Sequence, residues 1–463
     1  MSMREPPFKL LPRPQPVALA GRRVLVLGLG DSGLSAARWV QQQGGAVRAA
    51  DTRADPPRAA DYTGELRTGP FADTLLEGVD LVCVSPGLSL REAVVQAAIA
   101  RRVPVVGDIE LFAWQVRGDT ASRVLAITGT NGKSTVTSLT GHLLRAAGIE
   151  CELAGNIGPA ALDALMKRRT PPAAWVLELS SYQLETTWSL APDAAAVLNL
   201  SEDHLDRYAG LDEYGAAKAR IFQGEGVQVL NRDDARSMAL ALPGREQVTF
   251  GLGAPGAQGH WGVMDGAIHE GALPLLPLAD LRIHGAHNAA NALAACALAR
   301  SLGASREALA QGLRTFRGLP HRLQLVAEHG GVAWYDDSKG TNVGATLAAL
   351  RGLGRPVLLI AGGEGKGQDF APLAPAVAVH ARHVLLIGRD APLIERALAA
   401  GGVPASIPVE RCATLEEAVA RAAQRARAGD AVLLSPACAS FDMFRDYRHR
   451  GEVFAAAVRS LGA

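Results

Sequence analysis

The sequence of 463 residues is poor in cysteine, in aromatic residues and in net charge. Its five cysteines (Cys83, Cys151, Cys296, Cys412 and Cys438) are scattered, with no C-x-x-C pair and no zinc-finger spacing. That pattern argues against a disulfide framework and for free thiols in a reducing compartment. Aromatics are only 5%, so a core must be built mostly from Ala, Val and Leu. Lys and Arg total 47 against 46 Asp and Glu, a formal net charge of +1. Such a balance removes the electrostatic basis for a general nucleic-acid or membrane-surface binder, but not for a local basic pocket. No apolar run reaches the roughly 18 residues that cross a bilayer. The opening MSMREPPFKLLPRPQP holds five prolines and an early Glu5 but no apolar h-region. It reads as an extension over 1–20 and not as a secretory leader. The expectation is a cytoplasmic protein that binds neither nucleic acid nor membrane.

What is present is a repeated rhythm of short apolar run, Gly-rich or polar turn, and amphipathic helix. Predicted strands lie at 23–27, 80–85, 123–128, 174–179, 194–200, 356–361, 383–388 and 431–435. Predicted helices lie at 33–43, 91–101, 133–147, 213–222, 289–302, 305–314, 414–428 and 447–461. Buried strands alternating with helices predict an α/β fold with parallel sheets, whose ligands bind beyond the strand C-termini. At about 150 residues per domain the length predicts roughly three domains. Breaks near 112–122 and 317–322 divide the chain into 21–114, 115–318 and 319–463. The segment 251–275 interrupts the rhythm and reads as a Gly-rich hairpin.

Two glycine turns stand out. Gly28, Gly30 and Gly33 have G-x-G-x-x-G spacing directly after a strand, and Asp51 follows at the end of the next strand. The spacing suits a diphosphate against a helix N-terminus, with Asp51 as acceptor for a ribose or base. NAD, another nucleoside diphosphate and a ligand-free packing turn all fit it. Asp31 must point away from any diphosphate. The second turn, AITGTNGKST (126–135), joins a strand to a helix. Backbone amides around Gly129 and Gly132 would face phosphate oxygens, Lys133 would reach the β- and γ-phosphates, and Ser134 would offer a hydroxyl to Mg²⁺. It departs from G-x-x-x-x-G-K-[ST], because Ile127 stands where the first Gly belongs.

Glu178 ends a neighbouring strand, a position for a Mg²⁺ ligand or for a capping acid. Glu202, Asp203, His204 and Asp206 share one loop. Further on, Tyr214, Lys218, Ile221 and Phe222 fall on one helical face, so Lys218 either snorkels from an apolar stripe or is buried. A buried lysine favours its neutral amine, which can add CO₂ as a carbamate and become an oxygen ligand.

GTNGKST (129–135), ELSSYQLE (178–185), LNLSEDHLDRY (198–208), YGAAKARIF (214–222), GAHNAANALAA (285–295), GLPHR (318–322), DSKGTN (337–342) and SPACASFD (435–442) occur in this order. Together they resemble the Mur ligase family over nearly the whole chain after the extension. SPGL (85–88) and VVGDIELF (105–112) carry the likeness into the first domain, and GDIELF and SPACASFD point to the D-glutamate-adding branch. A DNPR-type motif, found in the diaminopimelate- or lysine-adding branch, is absent. The sister branches and folylpolyglutamate synthases share single motifs and are the alternatives. A P-loop nucleotide sensor and an NAD oxidoreductase are readings of a different class.

The resemblance implies a Rossmann-like first domain, a P-loop NTPase-like middle domain and a Rossmann-like third domain. It implies ATP, two Mg²⁺ ions and the small-molecule substrates UDP-N-acetylmuramoyl-L-alanine and D-glutamate, in a monomer. By position, Ser134 and Glu178 would hold one Mg²⁺, and His204 and carbamylated Lys218 the other. Gly129, Thr130, Asn131, Gly132, Lys133, Ser134 and Thr135 would cradle ATP phosphates. Asn288 and Asn291 would lie near adenine, and Arg322 and Asp337 near phosphate and ribose. Gly28, Gly30, Ser32, Gly33, Ser85, Gly87 and Asn156 would contact the UDP diphosphate, with Asp51, Thr52 and Arg53 around uracil and ribose. Lys339, Thr341, Lys366, Ser440 and Tyr447 would line the D-glutamate pocket. Two residues depart from the family pattern: Glu364 stands in GGEGK where GGDGK is usual, and Tyr447 where Phe is more common.

Overall fold

The computed structural model describes Phe8 and residues 11–117, 122–204, 207–283 and 285–461. It holds three sheets. The first has five parallel strands, β1 (Arg23–Leu27), β2 (Ala46–Asp51), β3 (Glu65–Thr68), β4 (Leu81–Val84) and β5 (Val105–Val106), in the order β3-β2-β1-β4-β5. The second comprises β6 (Arg123–Thr128), β7 (Cys151–Gly155), β8 (Ala174–Glu178), β9 (Ala194–Val197), β10 (Val227–Asn231), β11 (Gln247–Phe250), β12 (Trp261–Met264), β13 (Ala267–Glu270) and β14 (Leu273–Pro277). Its order is β14-β13-β12-β11-β10-β9-β6-β8-β7. The third comprises β15 (Gln324–His329), β16 (Val332–Asp336), β17 (Val357–Gly362), β18 (Ala381–Ile387), β19 (Val409–Arg411) and β20 (Ala431–Leu434), in the order β15-β16-β20-β17-β18-β19.

The described residues form two compact units, one carrying the first two sheets and the other the third. Within the first unit one apolar core runs from β1 and β4 through the helix Asp108–Val116 to β8. Phe112 of that helix meets Trp175 of β8 edge to face, ring centroids 5.2 Å apart. Glu110, fully buried, accepts from the Trp188 and Ser189 amides (2.6 and 2.9 Å), the Ser189 hydroxyl (2.6 Å) and the Trp114 indole (2.8 Å). Such a full set of donors offsets the cost of burying a carboxylate. The break predicted near 112–122 is therefore partly helix, and residues 118–121 lie outside the described ones. In the third sheet the alternation of a doubly covered sheet is plain. Val357, Leu359 and Ala361 enter one core, and Leu358 and Ile360 the other.

The predicted strands 23–27 and 123–128 match β1 and β6 residue for residue. The helix expected over 213–222 is α-helical over Leu211–Ala219 and closes as a 3₁₀ turn, Arg220–Phe222. The strand expected over 194–200 stops at Val197, because Leu198 and Asn199 turn to serve the phosphate loop. The hairpin expected in 251–275 is β12–β13, joined by Asp265 and Gly266, both with positive φ (50° and 70°). That is the Asp-Gly arrangement of a two-residue hairpin turn. The hairpin is not a separate ornament: it continues the edge of the second sheet. The helix Asp108–Val116 and strands β7, β10, β11, β15 and β16 had no predicted counterpart. No described helix is long and apolar enough to cross a membrane.

Candidate active site

In the first unit, β1 feeds the helix Asp31–Gln42 through the first glycine turn. A Cβ on Gly33 would lie 1.8 Å from the Gly28 carbonyl oxygen, so only glycine closes this turn. Ser85 donates to the same carbonyl at 2.7 Å. Gly30 and Gly87 face open space. Asp51 is 2% exposed and accepts four bonds, from the Leu29 amide and from the Arg53 amide, Nε and Nη2. These fill the roughly four lone-pair sites of a carboxylate, so a ribose hydroxyl would have to share them. The Arg53 side chain above all, with the two amides and against the effect of burial, lowers its carboxyl from 3.8 to about 2. Asp31 points away from the turn, pairing with Arg58 at 2.6 Å. Ser32 donates toward buried Asp108, whose carboxyl burial pushes upward. Thr52 is exposed.

The second turn is locked differently. Thr130 donates its amide to the Asn199 carbonyl (2.9 Å), and Asn131 its amide to Asn199 Oδ1 (2.8 Å). Asn199 Nδ2 returns a bond to the Asn131 carbonyl (3.1 Å). Gly132, in the left-handed region at φ 85°, caps the helix Lys133–Ala146. Lys133 Nζ donates to the carbonyls of Gly129 (2.9 Å) and Thr130 (2.8 Å). Lys218, 1% exposed, donates to the same Gly129 carbonyl (2.9 Å) and to Thr128 Oγ1 (3.2 Å), with its Nζ 4.6 Å from the Tyr214 ring centroid. Of the two readings of Lys218, the structure bears out burial. Two lysine side chains thus converge on one loop carbonyl.

Glu178 ends β8 and is 1% exposed. Its Oε1 accepts from Asn156 Nδ2 at 2.7 Å, and Oε2 has no hydrogen-bond partner among the described residues. An orphaned, buried carboxylate oxygen is expensive unless a cation completes it. Thr135 is buried and Ser134 half-buried in the first turn of the helix.

In the second unit, His204 adopts φ 56° and its Nε2 lies 3.7 Å from Asp203 Oδ2; Asp206 lies outside the described residues. Asn288 and Asn291 are nearly buried and bond to each other at 3.2 Å. Asp337 accepts from Ser435 Oγ (2.7 Å) and the Leu323 amide (3.2 Å). Burial raises its carboxyl to about 7, against the opposing pull of Ser435 and of nearby Arg322.

The DSKGTN and SPACASFD loops meet around Arg450, which is wholly buried. Its guanidinium donates to Ser338 Oγ (3.0 Å), the Ser338 carbonyl (2.8 Å), and the Cys438 (3.1 Å) and Ala439 (3.3 Å) carbonyls. Lys339 Nζ lies 4.1 Å from the Tyr447 ring centroid, and Lys366 Nζ 5.9 Å from that of Phe441. Ser440 is buried and Thr341 donates its amide to the Lys339 carbonyl (2.8 Å). Glu364 pairs with Arg389 at 3.0 Å, and its backbone bridges Ala439. Sequence reasoning missed Asn199, Glu110 and Arg450. Asn199 and Glu110 sit inside motifs already singled out, but their partners lie 68 and 78 residues away.

Three α/β sheets, a phosphate-type strand–loop–helix with a buried acid at the adjacent strand end, and a cation-bearing loop cluster on the third sheet fit an ATP-dependent ligase. Family models agree. The Mur ligase MurD-like N-terminal domain matches 22–107, the Mur ligase middle domain 127–299, and the Mur ligase glutamate ligase domain 321–438. The UDP-N-acetylmuramoylalanine–D-glutamate ligase of Nitrosospira multiformis is 55% identical over 461 residues, covering 96% of this chain and 97% of that one. The enzyme of the same name from Aromatoleum aromaticum is 54% identical over 464 residues, covering 96% and 98%. The crystal structure of the UDP-N-acetylmuramate-alanine ligase of Thermotoga maritima has the same fold, with a TM-score of 0.59 at 20% identity over 95% of this chain and 99% of that one. The chain belongs to the Mur ligase family.

Proposed function

We infer that the chain joins D-glutamate to the L-alanyl carboxylate of UDP-N-acetylmuramoyl-L-alanine, converting ATP to ADP and phosphate, in peptidoglycan precursor synthesis. Relatives at 54–55% identity bear that name over nearly their full length. The observation that carries the reading is the convergence of Lys133 and Lys218 on the Gly129 carbonyl, with half-partnered Glu178 at the end of the adjacent strand.

A carboxylate is a poor acyl donor. Transfer of the γ-phosphoryl group to it makes an acyl phosphate; the amine then attacks the carbonyl carbon, loses a proton, and phosphate departs with the C–O electron pair. Loop amides of Gly129 and of Gly132 to Thr135 orient the phosphates while Asn199 holds those of Thr130 and Asn131, and Lys133 exchanges the Gly129 and Thr130 carbonyls for phosphate oxygens. The orphaned Glu178 oxygen fits Mg²⁺. Ser134 and Glu178 would hold one ion, and His204 with carbamylated Lys218 a second. Bound there, Mg²⁺ supplies neutralisation of phosphoryl charge. The Lys218 amine would attack the carbon of CO₂ and release one proton in becoming the carbamate.

On this reading Asn288, Asn291, Arg322 and Asp337 serve ATP. The first glycine turn, with Ser32, Ser85, Gly87, Asn156, Asp51, Thr52 and Arg53, serves the UDP moiety. Lys339, Thr341, Lys366, Ser440 and Tyr447 serve D-glutamate. The domains are 21–114, 115–318 and 319–463, in a cytoplasmic monomer that takes small-molecule substrates and neither nucleic acid nor membrane. The test supplies ATP, Mg²⁺ and UDP-N-acetylmuramoyl-L-alanine and measures phosphate release with D-Glu, L-Glu, D-Asp and L-Ala in turn. Release that depends on D-Glu is expected, and indifference to it refutes the assignment.

A further inference from the structure

The helix Tyr447–Ser460 opens with an unusually cationic first turn. Asp446 caps it, accepting from the His449 amide at 2.8 Å. The Tyr447 carbonyl accepts from Ser338 Oγ at 2.7 Å, so the ring is mounted on a backbone tied to the DSKGTN loop. Three basic groups surround that ring. Lys339 Nζ lies 4.1 Å from its centroid, His321 meets it edge-on at 6.2 Å, and the Arg448 guanidinium carbon is 5.6 Å from it. Arg448 Nε also donates to the Tyr447 hydroxyl at 3.3 Å. A phenylalanine here, the residue more common in the family pattern, has no such acceptor.

We propose that Arg448 is an additional specificity-determining cation for the amino-acid substrate, held toward the pocket by the Tyr447 hydroxyl. The idea rests on the assignment of Lys339 and Tyr447 to the D-glutamate pocket. D-Glutamate brings two carboxylates, and a guanidinium fork pairs with a carboxylate through two parallel bonds where an ammonium acts as a point charge. The Arg448 side chain is exposed and long, so without an anchor it would lose much entropy on binding. Its bond to the hydroxyl reduces that cost before the substrate arrives. Tyr447 is then a positioning residue through its oxygen as well as a wall through its ring.

The test is a double-mutant cycle on the full chain with Tyr447→Phe, Arg448→Ala and the pair, beside Lys339→Ala. At saturating ATP and UDP-N-acetylmuramoyl-L-alanine, each of the two single changes should raise KM for D-glutamate about threefold to fivefold, the range of an exposed charge pair. kcat should stay within about twofold, because a uniform-binding contact acts on KM alone. The double variant should match Arg448→Ala, since the hydroxyl acts through the guanidinium. Unchanged KM in Arg448→Ala, with KM raised in Lys339→Ala, overturns this inference and leaves the pocket standing. Effects of Tyr447→Phe and Arg448→Ala that multiply in the double variant overturn the positioning role. Unchanged KM in Lys339→Ala overturns the pocket reading and this proposal together.

Discussion

The two glycine turns look alike in sequence, each a strand, a short Gly-rich loop and a helix, yet they differ in which groups can exchange partners. The first is closed by Gly33 packing on the Gly28 carbonyl and is held from the neighbouring strands by Ser85 and by Asp51, which Leu29 and Arg53 saturate. The second is held by a remote side chain, Asn199, and leaves two lysines on its inner carbonyls. A turn closed by packing and by a saturated carboxylate is a fixed platform. A turn whose lysine must exchange carbonyls for phosphate is built to change partners.

Five substitutions break or sharpen that contrast. The largest effect belongs to Lys133→Ala, which should reduce phosphate release by about 10³-fold while leaving the melting temperature near wild type, because a charge aimed at the transferring phosphoryl is lost. Wild-type turnover in that variant would remove the loop from the chemistry. Next is Gly33→Ala. Alanine in a helix is ordinarily favoured over glycine by about 1 kcal/mol. Here the clash should reverse the sign and cost about 3 kcal/mol or more in denaturant unfolding. Asn199→Ala should cost about 1–3 kcal/mol by leaving the Asn131 amide without its acceptor, and should raise KM for ATP. A variant with wild-type ATP affinity would show that the loop holds itself.

Asp51 gives a pH signature. Its folded pKa of about 2 lies below the ordinary 3.8, so it stabilises the fold fully above pH 4. That stability, about 1–2 kcal/mol, is lost as pH falls from about 4 to 2 and should be missing from the acid limb of Asp51→Asn. Parallel limbs would contradict the saturated carboxylate. The smallest effect is Gly30→Ala, where nothing lies within 4 Å of the added methyl. Stability should change by less than about 0.5 kcal/mol, and any loss should fall on KM for the UDP substrate. A large stability loss would mean both ends of the turn are packed alike.

Both turns were legible in the sequence because glycines at fixed offsets between an apolar run and a helical period are a local signal. So were β1 and β6, whose burial is continuous. A Gly-rich hairpin within 251–275 was legible for the same reason, but its Asp265-Gly266 turn came from the structure. Asn199, Glu110 and Arg450 were not, because what makes each important is a partner distant in the chain. A polar residue beside a strand reads as loop until the fold brings an amide to it. Lys218 was half legible: its helical face announced an apolar setting, but acceptors on Thr128 and Gly129 lie some ninety positions earlier. Edge strands such as β15, only partly buried, lack the apolar contrast that marks a central strand.

Glu110 has a consequence for how the chain can be divided. The family boundaries suggest a cut between 107 and 127. Severing the chain just after Val116 would leave the carboxylate on one fragment and the Trp188 and Ser189 donors on the other. Neither fragment alone would be a finished domain: one would carry an acid with only the Trp114 indole left of its four donors, the other two amides and a hydroxyl that have lost their acceptor. Expressed together, the two pieces should find each other and elute as one species, a split protein whose seam joins the Glu110 carboxylate to a shared apolar core.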